Sequence, residues 1–348
     1  MKVLVTGGGG FLGRRIVELL VTTGHEVSFL SRRRYPQVEA CGARGLQVDL
    51  GDAEAVRDAV RGMDIVIHVA AKAEPWGAFE DFYRVNVTGT ENLLAAMRAE
   101  AVPRLVYTST PSVVSLMGNT ENGAQDLPYS QHYPSAYGET KAIAERMVLE
   151  ANGPGLATVS LRPHLIIGPR EDKMVPRILE RAQRGRLPII GDGQNTVDIT
   201  YVDNAAWAHL DAMQALTDHT AACAGKAYFI SNDEPVAMWT WLDNFVQAHG
   251  APGLSRRVPY GLALRLATVI EWIWRTLGLR SEPRITRMQV TGMGRSHWYD
   301  MQPARRDLGY RIRVSLEEGT RATVQWFKEG RAEAVTVEGE VVRYEPDS

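Results

Sequence analysis

A tyrosine and a lysine stand four residues apart in the segment SAYGETKAIAE, at Tyr137 and Lys141. On a helix, this spacing places both side chains on one face. An ammonium group beside a phenol favours the phenolate and lowers the pKa of the tyrosine, which makes Tyr137 a workable proton donor to a carbonyl oxygen. A surface pair at this spacing is the alternative, but the chain contains only six lysines. The pair therefore predicts an acid–base centre.

Hydroxyl side chains follow a strand-like run in the segment VYTSTPSVV. A hydroxyl at the end of a strand could hydrogen-bond the oxygen of a carbonyl substrate and stabilise its developing charge. Spacing alone leaves three candidates for this role, namely Ser109, Thr110 and Ser112.

The elements that must position these residues alternate between short apolar strands and helices. KVLVT, EVSFL, GLQVDL, DIVIHVAA, RLVYTS and TVSLRP read as strands, with helical patterns between them. This alternation predicts an α/β fold, a Rossmann-type doubly wound parallel sheet with a smaller C-terminal substrate-binding lobe. We expect the dinucleotide-binding domain to span residues 1–165, with segments at about 195–232 returning to it. Residues 166–348 should form mainly the lobe.

Glycines between the first strand and the first helix predict a dinucleotide cradle. Gly7 allows a tight turn, Gly10 lets the backbone approach a pyrophosphate, and Gly13 lets the helix pack against the strand. The helix then begins at Phe11 and Leu12, where unpaired N–H groups and the helix dipole favour phosphate.

The segment SFLSRRRYP indicates which dinucleotide is bound. An acidic residue at the end of the second strand would hydrogen-bond the 2′-hydroxyl of NAD, but this position holds Ser31, followed by Arg32. A hydroxyl and a guanidinium would bind a 2′-phosphate, so the segment predicts NADP(H). Arg33 or Arg34 could share the contact, and a solvated loop is the alternative. Later strand ends predict the remaining contacts, Asp49 and Leu50 at the adenine edge and Ala70 and Ala71 where small residues let the cofactor pass.

Composition excludes several classes of protein. The chain has 348 residues, 45% of them hydrophobic, and a net charge of −2, which gives no reason to expect nucleic-acid binding. Cys41 and Cys223 have no metal-ligand spacing, so we expect reduced thiols, no metal site and a cytoplasmic location. The first residues already form a strand, and we find neither a signal peptide nor a spanning apolar run.

From residue 2 to about 327, the chain resembles the extended short-chain dehydrogenases/reductases of the epimerase/dehydratase type. The resemblance is carried by TGGGGFLG, NVTGTENLL, YTST, YGETK and LRPHLIIGP. It implies a catalytic triad of Thr110, Tyr137 and Lys141, with Lys141 also holding the nicotinamide ribose. It further implies that Asn86 supports the sheet and site and that Pro163 abuts the nicotinamide. The family more often has serine where Thr110 stands, and threonine adds a methyl group that restricts its rotamer.

The segment GDGQNTVDITYVDNAAWAH bears on the substrate. Val197 stands where sugar-nucleotide members of the family typically carry an arginine, so a phosphate clamp is missing. The segment instead resembles the 3β-hydroxysteroid dehydrogenase-like branch. Within that branch, VYTSTPSVV, AYFISNDEP and HWYDMQPARRDLGY resemble the bacterial 2-alkyl-3-oxoalkanoate reductases of long-chain olefin biosynthesis.

This closer resemblance implies NADPH-dependent reduction of a 2-alkyl-3-oxoalkanoic acid to the 3-hydroxy acid. It also implies partners, the thiolase, β-lactone synthetase and β-lactone decarboxylase of that pathway, and we expect a homodimer. A sterol dehydrogenase and a nucleotide-sugar epimerase or dehydratase are the alternatives.

An amphipathic helix is predicted at about residues 260–279. On a helical wheel one side carries Leu262, Leu266, Val269, Ile270, Ile273 and Leu277. That side would face the protein's own core or a second subunit, line an acyl-chain groove, or meet a membrane or a partner protein.

Overall fold

The computed structural model describes residues 1–114, 118–329, 332–337 and 340–344. In chain order, the strands of these residues are β1 (Lys2–Thr6), β2 (Glu26–Ser31), β3 (Arg44–Gln47), β4 (Ile65–His68), β5 (Arg104–Thr108), β6 (Thr120–Gly123), β7 (Ala157–Pro163), β8 (Ile166–Ile167), β9 (Ile189–Ile190), β10 (Thr196–Val197), β11 (Thr200–Tyr201), β12 (Ala227–Ile230), β13 (Val236–Ala237), β14 (Arg257–Val258), β15 (His297–Tyr299), β16 (Ala332–Val337) and β17 (Glu340–Tyr344).

The helices alternate with these strands through the first half of the chain. They are α1 (Phe11–Thr22), α2 (Pro36–Glu39), α3 (Ala53–Val60), α4 (Phe79–Phe82), α5 (Gly89–Ala99), α6 (Ala136–Glu150), α7 (Met174–Gln183), α8 (Val202–Ala215), α9 (Met238–Ala248), α10 (Tyr260–Thr276), α11 (Arg287–Gly294), α12 (Gln302–Leu308) and α13 (Leu316–Glu329). A π-helical segment precedes α5, at Tyr83–Thr88, and a 3₁₀ turn follows β5, at Pro111–Val113.

Seven strands form the central sheet in the order β12-β7-β5-β4-β1-β2-β3, and every pairing is parallel. From β1 the chain runs outward to β2 and β3, then crosses to β4 on the other side. Ligands bind in the crevice at such a reversal, at the carboxyl ends of the strands. The doubly wound parallel sheet predicted from the sequence is confirmed.

Both faces of the sheet are covered, which explains why its strands are apolar throughout. On one face, Ile16 and Leu20 of α1 pack with Phe29 and with Met213 of α8. On the other face, Leu93 and Met97 of α5 pack with Val66 and Leu105.

The later part of the chain divides between the sheet domain and a lobe. Strand β12 and helix α8, which lie within residues 195–232, belong to the sheet and its core. Helix α12 also packs there, through Ala304 and Leu308. A separate apolar cluster builds the lobe from α7, α9, α10 and α11, around Trp239, Phe245 and Val290.

Helix α10 leaves several of its large apolar side chains outside the core. Its buried residues are Ala263, Ala267 and Glu271, and the Glu271 carboxylate pairs with Arg287 at 2.8 Å. The core-facing alternative is therefore wrong for Leu262, Leu266, Val269 and Leu277, which are exposed, whereas Ile270 and Ile273 are half-buried. Among the helices that the structure describes, none is long and apolar enough to cross a membrane.

Candidate active site

Glycines bring the turn between β1 and α1 closer to its neighbours than a side chain would permit. Gly7 has a φ of +71°, and a Cβ there would lie 2.8 Å from the Cα of Ala70. A Cβ at Gly13 would lie 2.2 Å from the Gly7 carbonyl oxygen. Helix α1 begins after Gly10, and no side chain caps its N-terminus. Backbone N–H groups at an uncapped helix start, with no Cβ in the way, fit the pyrophosphate of a dinucleotide.

The other predicted cofactor contacts differ in whether their side chains or only their backbone atoms can reach a ligand. Leu12 and Leu50 are buried in the core, so only their backbone atoms can meet a ligand. Asp49 is exposed, and its carboxylate accepts a hydrogen bond from the Gly51 N–H at 2.8 Å, which shapes the turn after β3. The other three are partly exposed, namely Phe11, Ala70 and Ala71.

The arginines after β2 are not equivalent. The Ser31 hydroxyl donates a hydrogen bond to the Arg33 carbonyl at 2.6 Å, which folds the segment into a turn. Arg34 pairs with Glu39 at 3.6 Å. Arg32 and Arg33 are exposed, and within the part of the chain that the structure describes neither forms an ion pair. Two guanidinium groups are therefore available to an anion at the end of β2.

Tyr137 and Lys141 lie on the first two turns of α6, which Ser135 caps by accepting a backbone N–H. Thr110 follows β5, and its hydroxyl lies close enough to the Tyr137 phenol to lower the pKa of that phenol. The hydroxyls of Thr110 and Ser112 lie 3.3 Å apart. Thr110, Ser112 and Tyr137 line one cavity, so the structure brings two of the three candidate hydroxyls to the tyrosine.

Ser109, the remaining candidate, points away from that cavity. It is buried, and it is not among the residues that line the cavity. Successive side chains of an extended segment point to opposite sides, and Thr110 has extended backbone angles. The alternation therefore directs Ser109 to the core and Thr110 to the cavity.

Lys141 is buried and held from two directions. Its Nζ donates a hydrogen bond to the Thr108 carbonyl at 2.6 Å and lies 4.0 Å from the centroid of the Tyr107 ring. Burial lowers the pKa of Lys141 to about 7, and the Glu145 carboxylate acts in the opposite direction. The side chain can therefore change its charge near neutral pH.

The pKa of Tyr137 departs from our expectation. Burial raises it above its usual value, and the hydrogen bond from Thr110 acts in the opposite direction. We expected Lys141 to lower this pKa, but burial also disfavours the charged form of the lysine. Tyr137 consequently carries its proton at neutral pH, as a proton donor must.

Asn86 and Pro163 lie where the family resemblance implies support for the site. The Asn86 side chain accepts the Lys72 N–H at 2.8 Å and donates to the Thr140 hydroxyl at 3.0 Å. It thereby joins the segment after β4 to α6, between Tyr137 and Lys141. Pro163 ends β7 and lines the cavity.

A cavity of about 390 Å³ separates these residues from the lobe. Its lobe side is formed by large apolar side chains, among them Ile178, Met238, Trp241, Leu242, Phe245 and Met293. Val197, from β10, is fully buried in the same wall. None of the described residues of α10 lines the cavity, so the acyl-groove alternative does not apply to that helix.

Residues 4–259 match the 3-beta hydroxysteroid dehydrogenase/isomerase family. The chain belongs to this family. A 2-alkyl-3-oxoalkanoate reductase of Stenotrophomonas maltophilia (strain K279a) is 48% identical over 323 residues, which cover 92% of this chain and 98% of that protein. The mouse (Mus musculus) sterol-4-alpha-carboxylate 3-dehydrogenase, decarboxylating, is 34% identical, with 94% of this chain and 91% of that protein covered.

Solved structures share the fold of this family member. The crystal structure of gox2253 superposes with a TM-score of 0.77 at 24% identity, covering 94% of this chain and 98% of that one. MoeE5 in complex with UDP-glucuronic acid and NAD gives a TM-score of 0.72 at 25% identity, covering 95% and 100%. The resemblance to extended short-chain dehydrogenases/reductases is confirmed, and the curated relatives are a reductase and a dehydrogenase, both oxidoreductases.

Sequence reasoning missed two histidines that line the cavity of this family member. The rings of His164 and His297 lie 4.8 Å apart between centroids, and both line the cavity. Nδ1 of His164 bonds the Asp198 carbonyl, and Nε2 of His297 bonds the Gly292 carbonyl. Burial lowers the pKa of His164 to about 3 and also lowers that of His297, so both rings are neutral acceptors at their other nitrogens. Their sequence separation gives no signal of this contact.

Proposed function

We propose that this protein is an NADPH-dependent reductase that converts a 2-alkyl-3-oxoalkanoic acid into the 2-alkyl-3-hydroxyalkanoic acid. The observation that carries the proposal is the 48% identity to a 2-alkyl-3-oxoalkanoate reductase along almost the whole of both chains. A second relative, by its name, is a dehydrogenase at the 3-position of a sterol 4-carboxylate. Both names place the reacting oxygen β to a carboxylate, which supports a β-oxygenated acid as the substrate class.

The site has the groups that carbonyl reduction requires. When bound, NADPH supplies the hydride that adds to the carbonyl carbon. Tyr137 gives its proton to the carbonyl oxygen, and the Thr110 hydroxyl, which lines the same cavity, donates a hydrogen bond to that oxygen and stabilises its developing charge. The residues that would hold the cofactor are Gly7, Arg32 and Lys141.

The preference for NADPH is supported by the end of β2. A 2′-phosphate needs cationic donors and no carboxylate beside it. Arg32 and Arg33 are exposed at the turn, and the Ser31 hydroxyl holds that turn. Arg34, paired with Glu39, is the least suited of the three arginines to this role.

The cavity supports an apolar substrate over a nucleotide sugar. A nucleotide carries phosphate charge, which needs a cationic partner when water is excluded. Val197 is buried in the wall where an arginine clamp would stand. The three cations that also line the cavity already have partners, Lys173 with Glu74, Arg177 with Glu282 and Arg181 with the Arg284 carbonyl. We therefore set aside the nucleotide-sugar epimerase or dehydratase alternative.

We further propose a place for the enzyme in long-chain olefin synthesis. A thiolase would supply the 3-oxo acid. The product, a 3-hydroxy acid, carries the hydroxyl and carboxylate that a β-lactone synthetase joins, and a β-lactone decarboxylase would then release the olefin. Cys41 and Cys223 are both free, which supports a cytoplasmic location. A homodimer remains our proposal for the assembly, and light scattering of the purified protein would measure it.

The proposed function is tested by comparing kcat/KM across substrate classes with NADPH or NADP⁺ as required. The panel comprises a 2-alkyl-3-oxo acid released from its ester, the matching 3-hydroxy acid, a sterol 4-carboxylate and UDP-glucose. We expect the 2-alkyl acids to be preferred by at least about tenfold, the effect of 1.4 kcal/mol in transition-state binding. A preference for the sterol would contradict the proposal and identify a sterol dehydrogenase, as the 34% identity to the mouse enzyme would then indicate.

A further inference from the structure

Helix α10 exposes a row of large apolar side chains to solvent, although Leu264 of the same helix packs against the lobe. Five large side chains are 49–66% exposed, namely Leu262, Leu266, Val269, Trp272 and Leu277. Ala263 and Ala267 face the protein instead and are fully buried. A helix that served only the lobe would show the reverse arrangement, so these side chains have a use outside the lobe's core.

The exposed charges of the segment that contains α10 have one sign. Between residues 252 and 284 every exposed ionisable side chain is an arginine, namely Arg256, Arg257, Arg265, Arg275, Arg280 and Arg284. The acidic residues of this stretch are neutralised, because Glu271 pairs with Arg287 and Glu282 pairs with Arg177 at 2.7 Å. The whole chain carries a net charge of −2, so the exposed charge of this stretch is opposite in sign to that of the chain.

We propose that the α10 surface, formed by the five exposed apolar side chains and the six arginines, docks on an anionic lipid membrane. Helices that lie in a membrane interface combine an apolar face bearing tryptophan and leucine with arginines beside it. Arginines there are attracted to lipid phosphates, while Trp272 places an amphipathic ring at headgroup depth. A second copy of this chain is a poorer occupant, because a two-fold contact would place two arginine-rich surfaces against each other.

The α10 surface adjoins the cavity of the active site. The Trp76 indole donates a hydrogen bond to the Leu279 carbonyl at 3.4 Å, and the Arg275 guanidinium lies 5.6 Å from the Trp76 ring centroid. Glu74 and Pro75, immediately before that tryptophan, line the cavity. Docking would thus bring this part of the cavity wall close to the lipid surface. If the proposed function holds, a long-chain acid could pass between lipid and active site without crossing bulk water; the docking itself does not depend on that function.

The test is co-sedimentation of the full-length protein with vesicles of two compositions. One is a mixture of phosphatidylcholine and phosphatidylglycerol, and the other is phosphatidylcholine alone. We expect binding to the anionic vesicles, weakening with added salt, and little binding to the neutral ones. Trp272→Phe identifies the contribution of this indole, whose fluorescence should shift to shorter wavelength on binding.

Two variants of the α10 surface and two matched controls make the test specific. Leu266→Gln/Val269→Gln should reduce vesicle binding by at least about tenfold, since several buried methylene groups are lost. Arg265→Gln/Arg280→Gln should reduce it by roughly fivefold for each arginine. The controls are Phe79→Gln, an exposed aromatic on α4, and Arg98→Gln, an exposed arginine on α5, which should bind as the wild type does.

The outcomes distinguish docking on lipid from a contact between protein chains. The changed residues are exposed, so the variants should keep the circular dichroism and melting temperature of the wild type. Failure of the wild type to bind anionic vesicles would overturn the proposal, as would controls that lose binding equally. A smaller molar mass in light scattering for Leu266→Gln/Val269→Gln, without any vesicle binding by the wild type, would identify a contact between protein chains instead. None of these readings uses catalytic activity, so a wrong substrate assignment would leave them unchanged.

Discussion

The cofactor side and the substrate side of the cleft meet at Tyr137, and they differ in how they are packed. On the cofactor side, backbone approaches backbone, and a Cβ at Gly7 or Gly13 would lie within 3 Å of its neighbours. On the substrate side, Met238, Met293 and other large flexible side chains form the wall. Close backbone packing allows one arrangement, whereas methionine adapts to several shapes. A single substitution on the cofactor side should therefore cause a large loss of cofactor affinity or rate. On the substrate side, the change in KM should depend on the size of the side chain and of the substrate.

The largest effect is expected where the two sides meet. Tyr137→Phe removes the phenolic proton but keeps the ring, so kcat should fall by roughly 10²–10⁴-fold while NADPH affinity is retained. Steady-state kinetics and a fluorescence titration with NADPH would measure both quantities. Turnover close to that of the wild type would exclude Tyr137 as the proton donor.

Thr110 tests whether the hydroxyl or its methyl group matters. Thr110→Val keeps the shape and should lower kcat by roughly 10²-fold, the effect of losing one donor to the reacting oxygen. Thr110→Ser should keep most of the activity. The 3.3 Å contact with Ser112 offers the control, because Ser112→Ala should have the smaller effect. If the Ser112 variant were the more damaged one, the roles of these two hydroxyls would be exchanged.

At the end of β2, a single substitution should cause a large loss of NADPH affinity. Arg32→Ala should weaken NADPH binding by roughly ten- to a hundredfold, because a charge-assisted contact contributes about 1.5–3 kcal/mol. NADH lacks the 2′-phosphate and should bind as before. Ser31→Asp should shift the preference toward NADH, and Arg34→Ala is the matched control, since Arg34 already pairs with Glu39. A wild type that prefers NADH would refute the assignment of NADPH.

A narrower cavity on the substrate side should raise KM by an amount that depends on the chain length of the substrate. Gly292 lines the cavity, and a Cβ there would meet no atom within 4 Å, so Gly292→Val adds volume without a clash. KM for long-chain substrates should rise roughly tenfold, the equivalent of one to two excluded methylene groups, while short acids are unaffected. Gly261→Val, on α10 and equally free of neighbours, controls for helix propensity. Equal changes for all chain lengths would show that this position does not set substrate length.

Helices α1 and α10 show how much of the fold the sequence could predict. The sequence pattern predicted both helices, and in the structure α1 buries Ile16 and Leu20 in the core. For α10 the same pattern does not indicate direction, because burial depends on what the helix packs against. Ala263 and Ala267 face the lobe because small side chains allow close packing, and the larger side chains remain outside.

The candidate site was predictable where its residues are close in sequence. Tyr137 and Lys141 share a helix, and the glycines share one turn, so spacing alone places them together. His297 reaches His164 only because β10 pairs with β15 and places Val197 opposite His297. Pairing between short strands so far apart in the chain leaves no local pattern in the sequence. The pKa of Tyr137 was equally inaccessible, because burial is set by the assembled cleft.

The last expected effect concerns stability and not activity, on the substrate side, at Asp198 behind the two histidines. Burial raises the pKa of Asp198 to about 7, although its carboxylate accepts the Tyr299 N–H at 2.8 Å. An unfolded aspartate loses its proton near pH 4, at its usual pKa of about 3.9, whereas the folded one retains it to about pH 7. Between these values the folded state binds more protons, so the free energy of unfolding falls as pH rises, by at most about 1.4 kcal/mol per pH unit. Asp198→Asn should remove this dependence and be the more stable protein at pH values above about 7. Urea unfolding across this pH range would measure the difference, with Asp192→Asn, at an exposed position, as the control. Identical pH profiles for Asp198→Asn and the wild type would show that Asp198 keeps its ordinary pKa in the folded protein.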